Sequence, residues 1–238
     1  TVPSIQGDLQ AALSKVANEN IQLYCAGRTD AGVHATNQVV HFDTNAKRHI
    51  DAWIWGTNTH LAHSIVVKWA RHVDYSFHAR FKALARRYCY VIYNHPIRPA
   101  ILHHRVSWHY YPLDINLMRT AAHYLIGEQD FSSFRAAECN SKTPMRHVME
   151  VDIKRQGDFI LLEIEANAFL HHMVRNIIGA LLYVGNQRIS LAEFHAVFKQ
   201  TDRRLAPPTF MPNGLYLADV EYPQTIFTPA DLSIWRFN

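Results

Sequence analysis

The chain has 238 residues, 48% of them apolar, and a formal net charge of +4. That length supports one large domain or two small ones, and no run approaches the ~18 consecutive apolar residues of a membrane span. The three cysteines, Cys25, Cys89 and Cys139, are far apart and form no CxxC pair. This argues against a disulfide framework or a zinc ribbon and points to a reducing, cytoplasmic setting.

In chain order, Ser4 to Asn18 reads as a helix. Ile5, Leu9, Ala12, Leu13 and Val16 recur at helical spacing, and Ser4 can cap the start. No signal peptide is read at the start. Because Thr1 is not Met and the helix pattern begins almost at once, a preceding segment is expected. Two apolar runs follow, Ile21 to Ala26 and Gln38 to Asp43, and both read as strands. Between them lies Gly27-Arg28-Thr29-Asp30-Ala31-Gly32-Val33-His34. Its glycines permit sharp turning, and it holds a lone carboxylate close to a guanidinium. Such a loop is either a tight turn whose aspartate bonds its own backbone or a reaction centre built on Asp30.

Asp51 to Leu61 suggests a short helix and Ile65 to Val73 a strand. Ala85 to Asn94 alternates, with Tyr88, Tyr90 and Ile92 on one face and Arg87, Cys89, Val91 and Tyr93 on the other. Aromatic residues on both faces require both faces to be covered. Arg105 to Tyr111 reads as another strand. Asp114 to Ile126 reads as a helix with Leu117, Ala121, Tyr124 and Leu125 inward, stopped at Gly127. Phe131 to His147 is polar and irregular. Val148 to Arg155 and Phe159 to Ala166 form a hairpin across Gly157. A long helix is expected over Ala168 to Val184, with Leu170, Val174, Ile177, Leu181 and Val184 inward and His171 and Arg175 on an adjoining face. Ser190 and Glu193 form a capping box for a further helix, and Gly214 to Val220 is a last strand.

These patterns imply an α+β protein of two αβ halves, residues 1–82 and 83–238, each with a mostly antiparallel sheet and helices on one face. From Arg71 to Arg105, seven Lys and Arg residues face a single acidic one, Asp74. Interleaved with Phe77, Phe81, Tyr88, Tyr90 and Tyr93, they suit a polyanion with stackable bases, or a solvated basic face.

Several chemistries drop out. Gly27-x4-Gly32 lacks the Lys-Ser/Thr of a phosphate loop, and HExxH, GxSxG and GxGxxG are absent from the sequence. Asp114-x-Asn116 and Asp130 lack the calcium-loop spacing. His171 and His172 are adjacent, so on a helix they face different ways and make a poor metal pair. A carboxylate-centred site without a metal is the expectation.

Cys25 to His34, followed by Gln38-Val39-Val40-His41-Phe42, resembles the signature of the tRNA pseudouridine synthase A family. Further blocks in the family's order support it. They are Phe77 to Phe81, Ala85 to Tyr90, Phe131 to Arg135, Asn167 to Asn176 and Gly214 to Leu217. The family's opening strand and its Gly-Trp-Gln-Arg-Gln loop, ahead of the first helix, have no counterpart here.

The resemblance implies ferredoxin-like or RRM-like halves with an active-site cleft between them. It implies isomerisation of uridine to pseudouridine at positions 38 to 40 of the tRNA anticodon stem-loop, with no cofactor. By the same resemblance Asp30 is the catalytic carboxylate, Arg175 its ion-pair partner, and Tyr88 the ring that stacks on uracil and takes the C5 proton. Leu215 walls the pocket. Arg28, Thr29, His34, Arg80, Arg86 and Arg135 belong to substrate binding. Tyrosine and leucine in strands are also ordinary core residues. The partners implied are tRNA and a second copy of the chain in a homodimer, with no membrane. The alternative is a catalytically silent RNA-binding module or tRNA chaperone of the same fold.

Overall fold

The computed structural model describes residues 3–223; the outermost parts of the two expected halves, 1–2 and 224–238, lie outside that range. The chain is mixed α and β, and its larger sheet is mostly antiparallel. It divides into two compact units, one formed by Thr1–Arg28 and Val39–Ala83, the other by Thr29–Gln38 and Leu84–Asn238.

In the first unit, helix α1 (Ile5–Ala17) starts at Ser4, whose side chain accepts a hydrogen bond from the Gly7 N–H. Leu13 and Ala17 pack with Ile21, Leu23 and Trp53 into a small core. The two expected strands shrink to β1 (Tyr24–Cys25) and β3 (Val40–His41), paired antiparallel. The reason is visible in α1. The Ile21 N–H donates to Ser14 Oγ at 3.0 Å, the Leu23 N–H to Gln10 Oε1 at 3.2 Å, and Gln6 Nε2 donates to the Leu23 carbonyl at 2.9 Å. Helix side chains thus satisfy backbone groups that a neighbouring strand would otherwise pair. Residues 65–73 are not a strand. The Val67 backbone is bracketed by the Asn58 side-chain amide, at 2.7 and 2.9 Å. The expected helix at residues 51–61 is a short wide turn over Ala52–Gly56 flanked by helical residues.

In the second unit, β4 (Ala85–Asn94) runs through the sheet as expected. It lies between β8 (Phe159–Ala166) and β9 (Leu215–Glu221), antiparallel to both. β8 continues the hairpin to β7 (Met145–Gln156) around Gly157, and β7 pairs with β6 (Gly127–Asp130). β5 (Ser107–His109) pairs parallel with the end of β4. At the opposite edge, β2 (His34–Ala35) pairs parallel with β9, His34 opposite Tyr216. Both faces of β4 are covered. Cys89 and Val91 pack with Val106, Tyr216 and Ala218, while Tyr88, Tyr90 and Ile92 on the other face are also buried.

Helices α2 (Ile115–His123), α3 (Met173–Gly185) and α4 (Leu191–Lys199) pack against one another. The capping box at Ser190 and Glu193 forms as read. Two expectations shift. α2 buries Met118, Ala121 and Ala122 and ends at His123; just beyond it Leu125 is buried and Tyr124 lies at the surface. Gly127, with φ +95°, opens β6 and does not stop the helix. Along α3 the expected stripe is buried, but so are most neighbouring positions.

One close approach fixes the backbone behind α3. A Cβ on Gly179 would stand 2.1 Å from the Pro208 carbonyl oxygen, so only glycine lets that segment lie on the helix. Gly179→Ala should therefore cost about 1–3 kcal/mol, read as a lower urea midpoint with an unchanged slope.

Candidate active site

Asp30 sits in the second unit on a loop whose far end is pinned to the sheet. The Val33 N–H closes a turn onto the Asp30 carbonyl at 3.0 Å, and the Thr36 N–H donates to the Leu217 carbonyl at 3.0 Å. Asn37, buried, donates its side-chain amide to Asp219 Oδ1 at 2.7 Å. Gly32 has φ +81°, a conformation that side chains resist, and a Cβ there would meet the Pro212 ring at 2.9 Å.

Arg175, in the first turn of α3, reaches this loop. Its Nη1 lies 2.8 Å from Asp30 Oδ2, while its Nε donates to the Phe210 carbonyl at 3.0 Å. The Phe210 N–H returns a bond to the Arg175 carbonyl at 3.2 Å. The guanidinium is therefore held on two sides before it meets the carboxylate. Their side chains are 15% and 24% exposed. The pair is thus intermediate between surface bridges worth about 0–1 kcal/mol and buried ones whose rupture costs about 3–5 kcal/mol.

Two further side chains face Asp30. His172 Nε2 lies 3.2 Å from Oδ2, and His171 Nε2 lies 3.4 Å from Oδ1. The sequence reading sends these neighbours to different helix faces, and the structure corrects it. α3 begins at Met173, and His172 is its N-terminal flanking residue with φ +61°. Outside the helix, in this left-handed conformation, the two rings stand 3.9 Å apart between centroids and turn to the same carboxylate. A histidine held in that backbone region costs roughly 1–2 kcal/mol. His171 is fixed by its backbone, its carbonyl accepting from the Ala136 N–H at 3.0 Å and its N–H reaching Cys139 Sγ at 3.4 Å. Burial pushes the His172 imidazole below its usual pKa and Asp30 pulls the other way; the net is downward, so it is neutral at pH 7.

Asp30, His171 and His172 hold donor atoms within 4.8 Å of one another, a spacing an ion could use. Arg175 already places a positive charge 2.8 Å from Oδ2, which disfavours a second cation on that oxygen. The arrangement is a carboxylate hydrogen-bonded by a guanidinium, with two imidazoles beside it.

The remaining expected residues are placed as follows. Tyr88 is buried on β4, its ring edge-on to Phe169 with centroids 5.0 Å apart. Leu215 is buried on β9 opposite Tyr90. Thr29 is partly buried beside Asp30 in the chain. The His34 ring stacks on Tyr216 with centroids 4.9 Å apart, and its Nε2 lies 2.8 Å from the His104 carbonyl. Arg86 Nη1 donates to the Asn167 carbonyl at 3.0 Å. Arg135 Nη2 donates to the carbonyls of Cys139 and Ser141 at 2.6 and 2.9 Å. In the first unit Arg28 is exposed, and so is Arg80, whose guanidinium lies 5.7 Å from the centre of the Phe81 ring.

Sequence reasoning missed Phe210, whose carbonyl holds Arg175, and Asn176, which ties down the neighbouring Thr209. Asn176 is 1% exposed. It donates to the Phe134 carbonyl at 2.8 Å and accepts from Arg203 Nη2 at 3.1 Å and Thr209 Oγ1 at 2.6 Å. An asparagine inside an otherwise apolar helix stripe is the signal that could have marked it.

A family model described as "tRNA pseudouridine synthase" matches residues 2–82 and 121–223 of the chain. The protein named tRNA pseudouridine synthase A of Shewanella sp. (strain MR-4) is 57% identical, over 96% of this chain and 87% of its own length. Its namesake from Haemophilus ducreyi is 53% identical over the same shares. The Shewanella frigidimarina protein of that name is 53% identical over 94% of this chain and 85% of its own.

Asn176→Ala would leave the Phe134 carbonyl and the Arg203 guanidinium short of a partner in a buried place. A loss of about 1–3 kcal/mol is expected, measured as a fall in the urea midpoint.

Proposed function

The chain belongs to the tRNA pseudouridine synthase family, and from that premise we propose that Asp30 is the carboxylate with which it converts uridine to pseudouridine in tRNA. The target is uridine at positions 38 to 40, in the anticodon stem-loop. The observation that carries the reading is the Asp30–Arg175 pair, a partly exposed carboxylate 2.8 Å from a doubly anchored guanidinium.

The reaction is an isomerisation. The N1–C1′ bond breaks, the uracil turns, and C5 bonds to C1′. The proton leaving C5 is balanced by one gained at N1, so neither redox chemistry nor group transfer is required. An ionised carboxylate can attack C1′, remove a sugar proton to give a glycal, or add to C6. All three routes use the carboxylate as an anion, and the Arg175 guanidinium 2.8 Å from Oδ2 orients it with a charge-assisted hydrogen bond. Tyr88 offers the uracil a ring, and its hydroxyl is the base for the C5 proton. It lies between the two segments that the family model matches, so the relatives' overall identity and the resemblance of Ala85 to Tyr90 support it.

A base stacked in a stem cannot present its sugar to Asp30. The nucleotide is extruded at a cost of a few kcal/mol, offset by stacking and backbone contacts. Arg28 and Arg80, both exposed, are the phosphate or nucleotide contacts, a reading supported by the family resemblance. Thr29, His34, Arg86 and Arg135 shape the substrate surface through the loops they occupy, and Leu215 contributes apolar wall. The active form is a cytoplasmic homodimer, a reading supported by the family resemblance. Among the described residues no helix is long and apolar enough to cross a membrane.

Asp30→Asn should abolish tritium release from tRNA labelled at uracil C5, a loss of ~10³-fold or more, with tRNA affinity within several-fold of wild type. Retained turnover would remove Asp30 from the mechanism. If neither protein forms pseudouridine and both act alike on tRNA folding, the silent RNA-binding module is the correct reading.

A further inference from the structure

A cavity of about 290 Å³ lies in the second unit, between the C-terminal half of α3 and the segment that crosses Gly179. Leu182 and Tyr183 of α3, His109 at the end of β5, Tyr111 just after it, and Phe210 line it, and Arg188 stands among them. The Arg188 guanidinium lies 5.4 Å from the ring centres of both Tyr111 and Tyr183. Ring faces hold a cation without using its N–H groups. Among the described residues the Arg188 side chain makes no hydrogen bond and no ion pair. Arg135 and Arg203, by contrast, spend theirs on loop carbonyls.

We propose that this cavity binds a single nucleotide, its base against the tyrosine rings and its phosphate on the Arg188 fork. The site is separate from the Asp30 carboxylate and stands whether or not Asp30 is the acting group.

Three features select that ligand. The first is charge. The residues lining the cavity include an uncommitted guanidinium and no Asp or Glu, so an anion is favoured there and a metal ion is not. A planar guanidinium matches a phosphate through two parallel hydrogen bonds. The second is shape. Two tyrosine faces and the apolar side chains of Leu182 and Phe210 suit a flat ring more than a sugar or an extended peptide. The volume falls just below the ~300–1,000 Å³ of pockets for drug-sized ligands, which leaves room for one nucleotide and no more. The third is His109. Its Nε2 is buried and has no hydrogen-bond partner among the described residues. Burial and the nearby Arg188 charge push its pKa down, so the ring is neutral at pH 7. An orphaned ring nitrogen in a cavity wall points to a polar edge as its partner, and a nucleobase has such edges.

Two sources carry this chemistry, a free mononucleotide and an unstacked nucleotide of a bound RNA. Titration calorimetry of the full chain with adenosine monophosphate, and with adenosine alone, tests the site. Adenosine monophosphate should bind with a Kd of about 0.1–1 mM, and adenosine at least about tenfold more weakly. Arg188→Gln should weaken adenosine monophosphate about tenfold or more, and Tyr183→Leu about fivefold or more. Asp30→Asn should leave that Kd within about twofold of wild type. Urea midpoints check that each variant folds, and Arg188→Lys, which keeps the charge without the fork, replaces Arg188→Gln if the latter does not.

The proposal is overturned if adenosine monophosphate does not bind below about 5 mM, if adenosine binds as tightly, or if the Arg188 variant binds within about twofold of wild type. A Kd that moves with Asp30→Asn and not with the Arg188 variant also overturns it, and places the nucleotide at the carboxylate instead. Where the site holds, the tRNA Kd of the Arg188 variant assigns the source. A rise of about threefold or more means a nucleotide of the RNA itself, and an unchanged value means a free mononucleotide.

Discussion

An ion pair between residues 145 apart in sequence, Asp30 and Arg175, is the constraint that the second unit is arranged to meet. A carboxylate is held in one orientation when a fixed cation meets it through a charge-assisted hydrogen bond. The charge must also stay put, since an arginine free to swing is a weaker counterion than one already hydrogen-bonded. Arg175 meets this need through Phe210, and Phe210 is held because the 206–210 segment lies directly on Gly179. Asn176, next in the chain, ties the same segment and Arg203 to the start of α3. Asp30 is held from the other side, by a turn at Gly32 and by the parallel pairing of β2 with β9.

Much of this was legible in the sequence, for physical reasons that can be named. α1 and α4 announce themselves by capping residues, β4 and the β7–β8 hairpin by alternation, and Asp30 by its glycine-flanked loop. Legibility failed where side chains took over backbone bonding. Ser14, Gln10 and Gln6 shorten the first strand, and Asn58 replaces a strand partner at Val67. No hydrophobic pattern records such bonds. β6, with the sequence Gly-Glu-Gln-Asp, has no apolar alternation at all and is a strand because β7 has an edge to pair. Periodicity also extended α3 five residues too far at its start, since Ala168, Phe169 and Leu170 continue its apolar character. That error hid the histidines, because two adjacent residues can share a target only outside a helix.

The cations show the opposite failure, an excess of signal. Counting arginines suggests a broad surface for a polyanion, but many guanidiniums are occupied within the fold. Arg135 binds two backbone carbonyls, Arg203 those of Ala206 and Pro207, and Arg155 that of Leu113. Arg87 bridges Glu165 at 2.5 Å. A guanidinium has five donors in a planar fork, so it can satisfy carbonyls in loops that no secondary structure reaches. In this chain arginine serves loop architecture as well as charge.

This double use bears on how a substrate is recognised. An arginine that braces a loop cannot also swing out to follow a phosphate without releasing buried carbonyls, each costly to leave unpaired. Such arginines therefore contribute the shape of the loops they hold, whereas an exposed cation is free of that commitment. Loop shape is rigid and indifferent to base identity, whereas exposed cations are adaptable and screened by salt. A surface that divides the work in this way suits a folded RNA recognised by form.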